Sequence, residues 1–330
     1  MGLWFSLFSI VILVLFVIGG VDIFSWEYLF GVIVPYAAFA IFLLGIVYRI
    51  GKWAKTPVPF RIPTTCGQEK SHPWIKANSL DNPHNTLGVI VRMALEILFF
   101  RSLFRNTRTE LINDPRLVYG GTKWLWAAGL AFHWSFLFIV IRHLRFFTEP
   151  VPFFVNLLEG MDGLFEISVP TLYLTDAVIL SAVSYLFLRR VVIPQLRYIS
   201  LAADYFPLFL ILSIAITGVL MRHFFKVDVL SVKELATGLS TLHPVTPEGI
   251  GLLFYIHLFL VSILLMYLPF SKLMHMGGVF LSPTRNMANN NRMVRHVNPW
   301  NYPVKVHPYE EYEDEFRQKM KNAGLPVEKE

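Results

Sequence analysis

The sequence predicts an all-α integral membrane protein with six transmembrane helices, and three observations carry that prediction. Its 330 residues are 55% hydrophobic and 16% charged, with a mean hydropathy of +0.52, whereas a soluble domain carries about 25% charged residues. Six apolar runs are each close to the roughly 20 residues that cross a hydrocarbon core. The basic residues gather in alternate connections between those runs, which is the pattern of membrane orientation.

Leu3 to Val21 is apolar throughout. It lacks the basic start and small-residue cleavage site of a signal peptide, so it reads as the first span. Tyr28 to Ile50 is the second, with Pro35 as the expected kink. Gly121–Phe146, Val169–Leu188, Ala203–Met221 and Ile250–Leu273 complete the six. The chain thus divides into two N-terminal spans (1–50), a cytoplasmic loop (51–119), a four-helix part (120–276) and a cytoplasmic tail (277–330). Within the loop, residues 87–104 are apolar but interrupted by Arg92, Glu96 and Arg101, which predicts a helix lying in the membrane interface. That helix would stabilise the interface or serve as a platform for a partner subunit. The tail is polar, with Pro299, Pro303, Pro308 and an acidic cluster from Glu310 to Glu315. It reads as a segment that lies along a partner or is partly disordered.

The connection from Gly51 to Tyr119 carries ten basic residues. The connection from Thr148 to Ser168 has Glu149, Glu159, Asp162 and Glu166 and no Lys or Arg. The positive-inside rule therefore places both termini in the cytoplasm and the acidic loop outside. The net charge of +6 comes with no basic, aromatic-interleaved soluble domain, so no nucleic-acid partner is expected; the partner of this surface is the lipid bilayer. Cys66 is the single cysteine. One thiol excludes an intrachain disulfide, a cysteine-based zinc site and an iron–sulfur cluster ligated wholly by this chain. Any metal must therefore be held by histidine or oxygen.

Histidines supply the chemistry. His133 and His143 lie ten residues apart in the aromatic-rich third run, and His257 and His275 eighteen apart at the last. Ionisable groups at membrane depth are costly and mark function by default. Neutral imidazole is a strong ligand for haem iron, and an electron-carrying haem takes two axial ligands. Four histidines on two runs therefore point to two haem b groups in a dihaem bundle, each held by one histidine from each run. With the two helices antiparallel, His133 pairs with His275 toward the cytoplasm and His143 with His257 toward the outside. An ideal helix separates the first two by roughly 15 Å and the second two by roughly 27 Å. Helix tilt, ring tilt or a kink at Pro269 must absorb the difference. His223 is a rival ligand at the outer end of the fifth run. Arg142 and Arg145, with Arg101 and Arg105 at the inner side, are candidate partners for anionic propionates. A quinone would need a hydrogen-bond donor and a proton path, for which Asp176 is the intramembrane candidate, with Glu166, Arg142 and Arg222 behind it. Asp176 could equally pair with an arginine such as Arg142.

These histidines and their spacing resemble the dihaem cytochrome b, or gamma, subunit of respiratory nitrate reductases, which has five spans; the first span here would be the extra one. The basic inner loop, the motif LFRNTR at Leu103–Arg108 and the extended tail are most similar to the branch formed by membrane subunit M of the Dsr, sulfite-reduction-associated, electron-transport complexes. The resemblance implies menaquinone or menaquinol as exchanging substrate and a quinol site beside the outer haem. It further implies a cytoplasmic iron–sulfur partner related to heterodisulfide reductase, other membrane or periplasmic subunits, and a place in the cytoplasmic membrane of a prokaryote. Two departures stand out. Arg142 occupies the position of a glycine in the nitrate reductase subunits, and the Thr148–Ser168 segment lacks their quinol-contacting lysine. Two other readings of the residues are a proton-coupled secondary transporter and a haem-free membrane anchor. The absence of an inverted repeat weighs against the transporter.

Overall fold

The computed structural model describes residues 1–56, 58, 67–112, 116–163, 173–293 and 307–329. The N-terminal apolar run forms α1 (Gly2–Ile18), prolonged by a π-helical turn over Gly19–Ile23. A second π-helical turn, Leu29–Ile33, leads into α2 (Val34–Ala54). Pro35 sits in the first turn of α2, where a missing N–H is tolerated; the irregularity expected there takes the form of the π-helical turn just ahead.

The expected interfacial helix is two helices, α3 (Thr86–Phe99) and α4 (Arg101–Arg105). Phe100 separates them in the left-handed region at φ 51°. A side chain at positive φ is uncommon, and the surroundings fix this one. The indole N–H groups of Trp126 and Trp134 donate to the carbonyls of Phe99 (2.7 Å) and Leu98 (3.1 Å), satisfying carbonyls that a helix end leaves free. The charges read from sequence as a lipid-interface face point into protein instead. Arg92 is buried, and Glu96 pairs with Arg285 at 2.9 Å. Arg101 and Arg105 both bind the buried Asp81. These two arginines are thus engaged by a carboxylate of the same loop. Asn289 donates to Asn82 at 3.0 Å and to the Pro83 carbonyl at 2.7 Å, tying the segment after the last span to this loop.

A hairpin follows that the sequence pattern did not predict: β1 (Thr107–Ile112) pairs antiparallel with β2 (Arg116–Gly121). Gly121, expected inside the third span, is the last residue of the hairpin. The span itself is α5 (Lys123–His143), continued by a 3-10 turn to Phe146. A short helix, α6 (Phe153–Asp162), lies in the acidic connection. Then come α7 (Leu174–Val192), α8 (Pro194–Ile199), α9 (Ala202–His223) and α10 (Val229–Ser240). The last span, α11 (Leu252–Tyr267), ends in a 3-10 turn over Leu268–Phe270, and Ser271 is extended. A new turn, Lys272–Met274, opens α12 (His275–Leu281). The tail forms α13 (Tyr309–Asn322). Its buried Glu313 accepts 2.8 Å hydrogen bonds from the backbone N–H groups of Glu328 and Lys329, so this part of the tail is folded on itself rather than disordered.

Among the described residues, five helical stretches are long and apolar enough to cross a membrane: Gly2–Ile23, Leu29–Ala54, Lys123–Phe146, Ala202–His223 and Leu252–Phe270. The sixth expected span corresponds to α7, whose start at Val169 lies outside the described residues. Every 18-residue stretch of its 19 residues holds three charges, Asp176, Arg189 and Arg190, whereas each of the other five contains such a stretch with at most two. This helix nevertheless packs between α5 and α9. The remaining close pairs are α1 with α9, α1 with α11, α2 with α11 and α9 with α11. Phe30, Tyr255, Phe259, Leu210, Leu260 and Val183 form their common core. Close approach is also required at Gly45 of α2, where a Cβ would meet Pro269 at 2.7 Å. That contact seats the break in the last span against α2.

Burial pushes the Asp81 carboxyl up, but hydrogen bonds from Arg105 and Arg101 outweigh it and hold it below the ordinary carboxylate range. A depressed carboxyl stabilises the fold fully above its unfolded value near 3.9 and loses that contribution as pH falls through the lower folded value. The 78–105 region should therefore keep constant hydrogen-exchange protection from pH 8 to 5. Asp81→Asn should cost about 1–2 kcal/mol of local stability across that range. Unaltered exchange in the variant would contradict the role given to this carboxylate.

Candidate functional site

The structure brings the four histidines together as two pairs. His133 of α5 and His275, the first residue of α12, have ring centres 5.8 Å apart with planes crossing at 79°. His143 at the end of α5 and His257 of α11 are 6.5 Å apart with planes at 12°. The difference in sequence spacing is resolved at Pro269. The helix carrying His257 ends at Tyr267, and His275 is delivered by a separate turn. A straight-helix rise between these two residues therefore does not apply.

Each imidazole has its Nδ1 engaged. His133 bonds the Gly129 carbonyl at 2.7 Å, His143 the Ile139 carbonyl at 2.7 Å, and His275 the Lys272 carbonyl at 2.9 Å. The Nδ1 of His257 lies 2.9 Å from the Thr217 hydroxyl. A carbonyl can only accept, so the proton sits on Nδ1 and Nε2 keeps its lone pair. This is the arrangement by which outer-shell groups orient metal-ligating histidines. His133, His143 and His275 are exposed and His257 is half-buried, so the rings border space rather than packed side chains. Accordingly α5, which packs tightly on α7, is not among the closely packed neighbours of α11.

These observations fit an iron porphyrin. Two imidazoles that share one metal through ~2 Å bonds have ring centres about 6 Å apart. No hydrogen bond joins the two rings of either pair among the described residues. The described residues hold no cluster of three or more His, Cys, Asp or Glu suited to a free metal ion; a haem needs only two protein ligands, because its macrocycle supplies the rest. At one end, Phe100 lies edge-on to His133 at 4.9 Å, so the left-handed residue between α3 and α4 packs on a candidate ligand.

Around His143 the protein builds a charged network. The sequence offers Arg142 as a propionate partner, but the structure commits it elsewhere. It is buried and pairs with Asp162 at 2.7 Å and Asp176 at 3.1 Å. Asp176 is thus in the arginine pair weighed as the alternative to a proton relay. Asp162 also accepts from the Thr175 N–H (2.9 Å) and hydroxyl (2.6 Å). The guanidiniums of Arg142 and Arg222 lie 3.8 and 3.9 Å from the Tyr173 ring centre. The Tyr173 hydroxyl donates to Glu159 at 2.6 Å, and Arg145 pairs with the same carboxylate.

Glu166 lies outside the described residues. Among the described residues, His223 forms no pair with another histidine, and its buried Nε2 has no hydrogen-bond partner. His72 stacks on Trp74, His84 meets Lys70 and His307 faces Glu311; these three belong to loops and the tail.

Sequence reasoning missed Asp162, Glu159, Tyr173 and Thr217 as parts of the site. The signal for the first two was present: two buried-side arginines on α5 require carboxylates, and the acidic connection after α5 supplies them. Thr217 had no such signal, because one hydroxyl in an apolar helix commonly bonds its own backbone.

The nitrate reductase gamma subunit family matches residues 117–296, a range that contains all four histidines. Two relatives are described as Hdr-like menaquinol oxidoreductase cytochrome b-like subunits. The one from Archaeoglobus fulgidus is 48% identical over 279 residues, covering 82% of this chain and 83% of its own. The one from Archaeoglobus profundus is 43% identical over 273 residues, covering 81% of each.

Asp162→Ala leaves Arg142 and Thr175 short of an acceptor in a buried place, and breaking such a pair costs about 3–5 kcal/mol. The purified protein in detergent should melt several degrees lower. An unchanged melting midpoint would contradict the buried network.

Proposed function

The chain belongs to the nitrate reductase gamma subunit family, and from that premise we propose that it is a membrane cytochrome b, the electron-transfer subunit of a menaquinol oxidoreductase complex. The observation that carries the reading is the facing of His133 with His275 and of His143 with His257 at 5.8 and 6.5 Å. In the proposal the first pair holds one haem b and the second pair another, each through Nε2. A haem with two imidazole ligands passes single electrons and leaves no position open for substrate. The protein's part is to fix the imidazoles, and it does so through the Nδ1 bonds of all four.

The membrane arrangement follows from charge. In this reading α7 is the sixth crossing. Its 19 residues reach across the hydrocarbon core, Arg189 and Arg190 lie at its inner end, and Asp176 is neutralised by Arg142. The basic 51–119 segment and the termini are cytoplasmic by the positive-inside rule, which sets His133 and His275 toward the cytoplasm. Oxidation of a quinol releases two electrons and two protons, so its site needs an oriented carboxylate with a way out. In the proposal Asp176, although ion-paired with Arg142, also takes the role of proton acceptor. Arg145, more exposed than Arg142, takes that of propionate partner. The relatives' description as Hdr-like menaquinol oxidoreductase subunits supports a place in such a complex; the cytoplasmic iron–sulfur acceptor and the link to sulfur or sulfite metabolism are proposed from the resemblance of the inner loop and its LFRNTR motif.

The test is reduction of the protein in membranes by a menaquinol analogue, followed at the b-haem absorbance band. Quinol should reduce the wild type and His133→Ala. It should fail with His143→Ala and His257→Ala, whose remaining haem dithionite still reduces. The reverse pattern would move the quinone site to the other end. No quinol reduction of haem-loaded wild-type protein would contradict the function.

A further inference from the structure

His257 differs from the other three histidines in how its Nδ1 is held. Three rings bond carbonyls of their own segment, three or four residues away. His257 is held across helices, by the buried Thr217 hydroxyl of α9 at 2.9 Å. The Thr217 oxygen also lies 2.9 Å from the Ser213 carbonyl and 3.0 Å from that of Ile214. A hydroxyl has one proton and two lone pairs. With that proton given to its own helix, the oxygen accepts from His257 Nδ1–H and leaves Nε2 free to face His143. Gly218 follows, and a Cβ there would stand 3.5 Å from His257 Cε1, so the helix reaches the ring by its backbone side as well.

We propose that Thr217 is a positioning residue for the His143–His257 pair: it fixes the tautomer and orientation of His257 and sets the electron-donating strength of that ligand. This rests on the haem reading above. A hydrogen bond accepted from Nδ1–H makes the imidazole a more basic ligand, which favours the oxidised metal and lowers its reduction potential. Among the described residues, no side chain is hydrogen-bonded to the Nδ1 of His133, His143 or His275. The pair is therefore tuned by α9, a helix that carries neither ligand of the other pair. The outer centre becomes the one whose imidazole is held directly by a side chain of α9, whereas toward the inner centre α9 reaches Lys272 through Asp204 and not the imidazole itself.

The experiment is redox potentiometry of the purified protein, with the two b-haem steps assigned through His143→Ala, on wild type, Thr217→Val and Thr217→Ser. Thr217→Val keeps the shape and removes the acceptor, so the outer midpoint should shift upward with the inner midpoint unchanged. Thr217→Ser keeps a hydroxyl and should restore the wild-type value. Loss of the outer haem in Thr217→Val, with the inner retained and rescue by serine, supports the same role. Two haems with unmoved potentials in Thr217→Val would overturn the role of Thr217 and leave the dihaem reading standing. A wild-type protein that binds no haem would overturn both.

Discussion

An imidazole has two nitrogens, and a ligand histidine must have one of them tied down so that the other points where the metal will be. In the dihaem reading proposed above, that constraint organises this bundle. Two of the four Nδ1 groups are tied by α5 to its own carbonyls one turn back, at Gly129 and Ile139. The third is tied by the turn after Ser271, and the fourth by α9. Packing then has to keep α5 and α11 aligned without letting them close on each other. The aligned partners do this from the sides: α7 holds α5, while α2 and α9 hold α11. The hydrophobic core of Phe30, Tyr255 and Phe259 lies on the α2 side of α11, away from the histidine face. Burial thus stabilises the scaffold and leaves the rings unencumbered.

The two ends of the bundle satisfy their charges by different means. At the His143 end, the buried Arg142 of α5 meets Asp162 of α6 and Asp176 of α7, and removing one partner of such a pair is costly. At the other end the polar groups belong to surface segments. Asp81 gathers Arg101 and Arg105, and Asp204 of α9 binds Lys272 at 2.7 Å. Lys272 is also the residue whose carbonyl holds His275, so the ion pair to α9 steadies the turn that presents this histidine. Phe100, strained at positive φ and edge-on to His133, sits where that surface layer meets the bundle. Strain of this kind persists where the surroundings over-determine it, and the two tryptophan caps on α3 are those surroundings.

Much of this was legible in the sequence because membrane physics is read from composition. Apolar length located the five helices that satisfy the crossing criterion, and helical spacing with antiparallel order placed His133 against His275 and His143 against His257. Pro269 marked the place where regular spacing fails, though not that the helix stops there and His275 rides on a separate turn. Other features were invisible for physical reasons. The break at Phe100 has no glycine or proline to announce it, since it is imposed by tertiary contacts. The strands Thr107–Ile112 and Arg116–Gly121 are six residues each and lack a strict apolar–polar alternation, so periodicity does not announce them. The tail's acidic run looked unstructured until Glu313 was seen to cap the chain's return at Glu328 and Lys329. The ion pairs of Arg142 required knowing which connection folds back over α5, which no local pattern encodes.

The account stands on the two histidine pairs, and haem stoichiometry in single and double variants tests it most directly. Pyridine haemochrome quantitation should give two b haems per chain in the wild type and one in His133→Ala, His275→Ala and the double variant of both. The cross-pair double variant, His133→Ala with His143→Ala, should give none. Two haems lost from His133→Ala with His275→Ala, or a wild-type chain that binds none, would contradict the pairing on which the whole reading depends.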